Sequence, residues 1–176
     1  SEQDRGKKIF VEFDGAMSLA KVYLNGNFIG EWPYGYTSFT FELTDKIKFG
    51  SENILSVRLE NLPESSRYYT GAGLYRGVRL VILNPVHVAH WGTFVTTPVV
   101  SVDKAIVDVR TNVCVRTKQK GKIKLVTEIL DQEGKKVAKA ISTSHQADSI
   151  FYHQKLQMKS PHLWSVSSPY LYSVLS

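Results

Sequence analysis

The 176-residue sequence predicts an all-β protein made of two successive sandwiches. Three observations carry that expectation. Apolar residues recur with period two, which sends alternate side chains to opposite faces of a strand. Turn residues separate the alternating runs at intervals of about 8–12 residues, as sandwiches require. No stretch keeps helical spacing over three turns.

The elements follow in order. Lys8–Phe13 alternates as a strand. So does Ala20–Leu24, which runs into Asn25-Gly26. That dipeptide supplies the positive φ angles of a type I′ turn, so a hairpin continues through Phe28, Ile29 and Gly30. Further strands are expected at 39–43, 54–59 and 78–83, filled with β-branched and aromatic residues. Residues 86–95 read as a linking strand. Beyond them, 105–115, 122–130, 136–143, 150–156 and 170–175 read as strands, with Asp131-Gln132-Glu133-Gly134 as a turn. A boundary is expected near Thr96-Thr97-Pro98, dividing the chain into 1–96 and 97–176. Pro98 interrupts a ladder there, and the charge balance changes.

Hydrophobic residues at 43% and charged residues at 22% are the globular range and exclude a disordered chain. No apolar run approaches the ~20 residues of a membrane-spanning helix, so no membrane partner is expected. The opening SEQDRGKKIF lacks the apolar core of a secretory leader. The single cysteine, Cys114, excludes an intrachain disulfide and a multi-thiolate metal site. Residues 1–96 carry ten Lys and Arg against ten Asp and Glu, and residues 97–176 carry twelve against six. All of the +6 net charge therefore lies in the second half. Lys118, Lys120, Lys122 and Lys124 alternate, which makes them a solvated row on a strand. No aromatic platform or recognition helix accompanies them, so nucleic acid is not an expected partner.

The residue types that carry chemistry form no centre. His87 and His90, three apart, fall on opposite faces of a strand, and His145, His153 and His162 are scattered; no metal or cofactor is expected. No serine sits in a glycine-flanked elbow. Cys114, between Val113 and Val115, reads as a small buried hydrophobe. Gly71-Ala72-Gly73 lacks the strand-to-helix context of a phosphate loop. Glycoside cleavage needs two carboxylates across one bond, whereas the acids here fall on solvated strand positions and turns. The informative stretch is 65–78, SSRYYTGAGLYRGV. Two readings fit it: a packed loop with Tyr75 and Arg76 tucked inward, or a polar and aromatic lip suited to a sugar.

GAGLYRGV (71–78) resembles the hallmark of the N-terminal domain of glycoside hydrolase family 2, which includes β-galactosidases, β-glucuronidases and β-mannosidases. FDGAMSLAKVYLNGNFIGEWPYGYTSFTFELT (13–44), ENILSVRLEN (52–61) and LWSVSSPYLYSV (163–174) resemble further family segments in the same order. The resemblance implies a jelly-roll sugar-binding domain over 1–96, N-terminally truncated because the strand at 10–13 is already an interior one. It implies an immunoglobulin-like β-sandwich over 97–176.

It also implies a non-catalytic piece of an exo-acting, retaining hydrolase, β-galactosidase-like, whose catalytic glutamates lie in a following TIM barrel. One of them belongs to an Asn-Glu dipeptide, and this sequence has none. In the family, the loop before the GAGLYR-like strand reaches the terminal sugar. By that resemblance Arg67, Tyr68 and Tyr36 are the substrate-binding candidates. Arg67 stands where one branch of β-galactosidases has an aspartate, so it leaves the sugar open between a hydroxyl and a carboxylate. Arg76 and Trp164 are expected to be structural, the latter in the core. The resemblance leaves open a homo-oligomeric parent, a divalent cation held by the barrel, and a periplasmic or cytoplasmic location. A free-standing carbohydrate-binding module and a purely structural pair of sandwiches are the alternatives.

Overall fold

The computed structural model describes residues 1–62, 71–117, 121–145 and 147–176. The chain forms two compact units, Ser1–Pro85 and Val86–Ser176. Both are β-sandwiches, as expected from the period-two patterning.

The first unit holds β1 (Lys8–Phe13), β2 (Ala20–Leu24), β3 (Asn27–Trp32), β4 (Phe39–Glu42), β5 (Leu55–Arg58) and β6 (Val78–Leu83). They form two antiparallel three-stranded sheets, β4-β1-β6 and β3-β2-β5. β1 is the middle strand of its sheet, the interior position expected for 10–13. Its alternate residues Ile9, Val11 and Phe13 are buried together with Ala20, Val22 and Leu24 of β2 in one core. Phe13 stacks on its cross-strand neighbour Phe39 at 4.8 Å, and Trp32 of the opposite sheet stacks on Phe39 at 5.7 Å. The expected hairpin is present. Asn25 (φ 53°) and Gly26 (φ 79°) occupy the two left-handed positions of the turn. The Asn25 side chain also accepts from the Ile54 amide at 3.0 Å and donates to Asn53 Oδ1 at 2.9 Å, tying the hairpin tip to the chain entering β5.

One side of this sandwich is open. Val78, Leu80 and Ile82 of β6 stand opposite Phe13, Val11 and Ile9, so they point to the core side. All three are nevertheless exposed, Leu80 by 58%, and so is Leu55 of β5. β5 and β6 are the last strands of their sheets; Val57 of β5 still packs on the core, whereas Leu55 and the inward residues of β6 stay exposed.

The second unit holds β7 (Val86–Val100), β8 (Lys104–Val115), β9 (Lys122–Leu130), β10 (Lys136–His145), β11 (Ser149–Lys159) and β12 (Ser173–Leu175). Its sheets are β11-β8-β7 and β10-β9-β12. Val107, Val109, Leu156, Met158 and Ile129 form the centre of its core. Asp131 closes the expected turn: its backbone carbonyl accepts from Gly134 at 3.0 Å and its carboxylate from the Lys135 amide at 2.7 Å.

Several details depart from expectation. β7 continues through the Thr96-Thr97-Pro98 stretch, and the division between the units falls at Pro85 instead. Pro98 is accommodated because the register with β8 shifts between Thr96 and Val99, so no ladder bond needs its missing N–H. A second register break, between Val88 and Thr93, contains His90, so strand alternation does not relate it to His87. Cys114 is half-buried, paired with His87 and Ser149, while its neighbours Val113 and Val115 face the core. Trp164 is exposed rather than in the core, because the last strand starts only at Ser173 and Trp164 precedes a turn closed by Ser165 and Ser168. Lys122 and Lys124 alternate with inward-facing positions of β9 and are exposed, as the solvated-row reading expects; Lys118 and Lys120 lie outside the described residues. Lys136 and Lys139 flank Glu128 at 2.6 and 3.2 Å and hold its carboxyl below the usual range.

Phe13→Ala removes the fully buried ring that joins β1 to β4 and leaves a cavity. We expect it to destabilise the first unit by about 3–5 kcal/mol, read as a drop in the urea midpoint of that unit's transition.

Candidate functional site

Three stretches far apart in sequence converge at one edge of the first unit. They are 14–19 after β1, 33–38 between β3 and β4, and 71–77 before β6. Backbone bonds fix the first against the third: Met17 and Gly73 exchange N–H···O bonds at 3.1 Å each way, and Asp14 N–H donates to Gly77 O at 3.0 Å. Leu19 N–H donates to Pro33 O at 3.2 Å and ties in the second.

Side chains complete the joint. Tyr75 Oη donates to Gly35 O at 2.9 Å. Arg76 Nη1 lies 3.4 Å from both Asp14 O and Tyr36 O, and its guanidinium sits 5.2 Å from the Tyr75 ring centroid. Gly15 has to be glycine for this to close, since a Cβ there would lie 2.8 Å from Tyr75 Oη. Tyr75 and Arg76 thus reach across the joint. Neither is tucked inward as the packed-loop reading expected: both remain exposed.

Of the substrate-binding candidates, Tyr36 sits at this edge. Its ring is 42% exposed and meets Tyr75 edge-on at 6.5 Å and Tyr34 edge-on at 5.7 Å. Arg67 and Tyr68 lie outside the described residues. Tyr34, 52% exposed, was not singled out from sequence. The signal for it was the alternation Trp32-Pro33-Tyr34-Gly35-Tyr36, in which Tyr34 and Tyr36 share a parity opposite to the glycine. The Pro33 end of this segment also borders a hollow of about 220 Å³ lined by Leu19, Lys21, Glu31, Trp32 and Glu60.

The charges around the joint are paired. Arg79 Nη1 lies 2.7 Å from Asp14 Oδ2, and Nη2 reaches Asp14 Oδ1 and Glu12 Oε1. The hydrogen bond from Arg79, helped by its charge and that of Arg76, holds the Asp14 carboxyl below its ordinary range. Glu60 in the hollow is bound by Arg58 at 2.8 Å. In the second unit, the His153 imidazole lies 2.6 and 2.7 Å from the two oxygens of Asp108 and lowers that carboxyl as well. Every carboxyl with a clear shift among the described residues moves downward, chiefly through a hydrogen bond from a basic side chain. A general acid for glycoside cleavage needs the opposite shift. Around the joint the described residues offer aromatic surface and ion pairs that hold Asp14 below its ordinary range.

Comparison with known proteins gives the context. The family model for glycosyl hydrolases family 2 matches residues 86–176. The β-galactosidase BoGH2A of Bacteroides ovatus is 35% identical over 98% of this chain, which covers 21% of that protein. A β-glucuronidase of Bacteroides fragilis is 32% identical over 97% of the chain and 26% of its own length. The crystal structure of a family 2 member from Bacteroides cellulosilyticus superposes with a TM-score of 0.94 at 39% identity, over 99% of this chain and 24% of that one. The chain thus spans about a fifth to a quarter of the relatives it matches.

The paired carboxylate at the joint sets an acid limb. Asp14 has a lowered pKa in the folded state, so its stabilisation is full above the ordinary carboxylate pKa of ~4 and is lost as pH falls through the lowered value. Arg79→Met should reduce stability at pH 7, and the gap between variant and parent should narrow below about pH 4. Urea unfolding at pH 7 and pH 3 measures both.

Proposed function

The chain belongs to glycosyl hydrolase family 2, and we propose that it is the non-catalytic N-terminal portion of an exo-acting, retaining glycosidase, β-galactosidase-like in substrate. In this reading the first unit is the jelly-roll sugar-binding domain expected over 1–96, and the second is the immunoglobulin-like spacer expected over 97–176. The bond-breaking carboxylates then belong to the larger part of such enzymes that this chain does not span, a C-terminal TIM barrel. The first unit would shape the barrel's entrance through Tyr36 and the Arg67–Tyr68 segment.

The observation that carries the proposal is the pairing of two facts. The chain matches glycosidases along nearly its whole length, yet it spans only 21–24% of theirs. A chain with that likeness and that share of the relatives' length fits a supporting part better than a whole enzyme. The uncovered inward face of β6 supports further strands before β1, which a jelly-roll parent would supply.

A second reading of the substrate has its own support. β-Glucuronidases stand among the relatives, and Arg67 brings a guanidinium, which suits a sugar carboxylate. A direct assay separates the cases. The 176-residue chain should release no nitrophenol from nitrophenyl β-galactoside, β-glucuronide or β-mannoside, while the full-length parent should cleave one of them. Turnover by the chain itself, with contamination excluded, overturns the proposal. In the parent, Arg67→Ala should raise KM for a glucuronide by about tenfold or more if the sugar carries a carboxylate, since a charge-assisted pair is lost. A smaller effect confined to galactoside cleavage identifies the neutral sugar.

A further inference from the structure

We propose that Tyr34 and Tyr36 form a single glycan-contacting lip and that Tyr75 and Arg76 are the positioning residues that hold it in place. The inference rests on the glycosidase reading above and extends it to three residues, Tyr34, Tyr75 and Arg76, that the family resemblance did not assign to substrate.

The lip is a short segment between β3 and β4 bearing two exposed rings, their centroids 5.7 Å apart and their planes inclined by 64°. Two rings set at that angle present a face and a wall. The apolar C–H face of a pyranose stacks on an aromatic face, while its hydroxyls stay at the wet rim. A segment of this length has no ladder bonds of its own to set the angle. Leu19 N–H holds the Pro33 carbonyl and the Trp32 indole holds Thr37 Oγ1 at its two ends, and the middle is gripped from more than 35 residues downstream. Tyr75 Oη donates to the carbonyl of Gly35, the residue between the two tyrosines, at 2.9 Å. Arg76 Nη1 sits 3.4 Å from the carbonyl of Tyr36 itself. The Tyr75 ring then supports the Tyr36 ring edge-on at 6.5 Å, and the Arg76 guanidinium lies over the Tyr75 ring. Both polar contacts grip backbone carbonyls, so they fix where the lip stands while its two ring faces remain available.

The joint is also anchored behind. The Met17–Gly73 bridge and the Asp14–Gly77 bond fix the backbone that carries Tyr75 and Arg76. Gly15 lets the Tyr75 hydroxyl pass close to the main chain. Removing the hydroxyl alone should therefore loosen the lip without unfolding the unit.

The test uses the full-length parent with Tyr34→Ala, Tyr75→Phe and the double variant, assayed on whichever chromogenic glycoside the parent cleaves. Tyr34→Ala should raise KM about three- to tenfold with kcat changed less than twofold, the pattern of a lost ground-state contact. Tyr75→Phe should raise KM about two- to fivefold, the worth of one hydrogen bond. The double variant should fall short of the product of the two single effects, because Tyr75 acts through the lip and one of the lip's rings is already gone. Melting temperatures of Tyr75→Phe and the parent should agree within a few degrees. An unchanged KM in Tyr34→Ala overturns the lip as a contact. Multiplicative effects in the double variant overturn Tyr75 as its positioning residue. If the unmodified parent cleaves nothing, the glycosidase reading fails separately. The lip is then judged by titrating galacto- and glucurono-oligosaccharides against the ring signals of Tyr34 and Tyr36, and unmoved signals overturn it.

Discussion

Burial of Ile9, Val11 and Phe13 against Ala20, Val22 and Leu24 governs the first unit. These six side chains come from the middle strands of two different sheets. Once they meet, the direction of every other strand is decided, because β4 and β6 hydrogen-bond to β1, and β3 and β5 to β2. Aromatic stacking of Phe13, Phe39 and Trp32 then sets where β3 ends and β4 begins. That in turn fixes the two feet of the Pro33–Ser38 segment, and so the place where Tyr34 and Tyr36 emerge. The position of the proposed sugar contact is thus a consequence of core packing a few residues away.

Charge plays a different part from apolar burial. Asp14 and Asp108 each meet a basic side chain at hydrogen-bond distance. In exposed settings such pairs add little stability, but they fix geometry and keep carboxylates ionised. Sugar cleavage itself calls on two acids whose pKa values are driven apart.

Much of the fold was legible in the sequence because period two is a strong signal where one face of a sheet is buried. β1, β2 and β6 were read to the residue, and the Asn25-Gly26 turn follows from the φ angles those residues tolerate. Legibility failed where tertiary context overrides local pattern. Pro98 reads as a break, yet a register shift lets β7 run past it. Trp164 is expected in the core from the resemblance, yet it sits before a turn and ahead of the last strand and is exposed. The site was legible only through the resemblance of its motifs. Tyr75 and Tyr36 are 39 positions apart, and no periodicity links them; their meeting depends on how the two sheets close. Arg67 and Tyr68 lie outside the described residues.

The bare inward side of β6 has a practical corollary for anyone handling this stretch of protein by itself. A row of valine, leucine and isoleucine on a strand that, among the described residues, pairs on one side alone is a template on which a second molecule can add its own strand. Concentration, low ionic strength and long storage would then govern whether the material stays dispersed, and a lysine at position 80 would be the simplest way to keep copies apart.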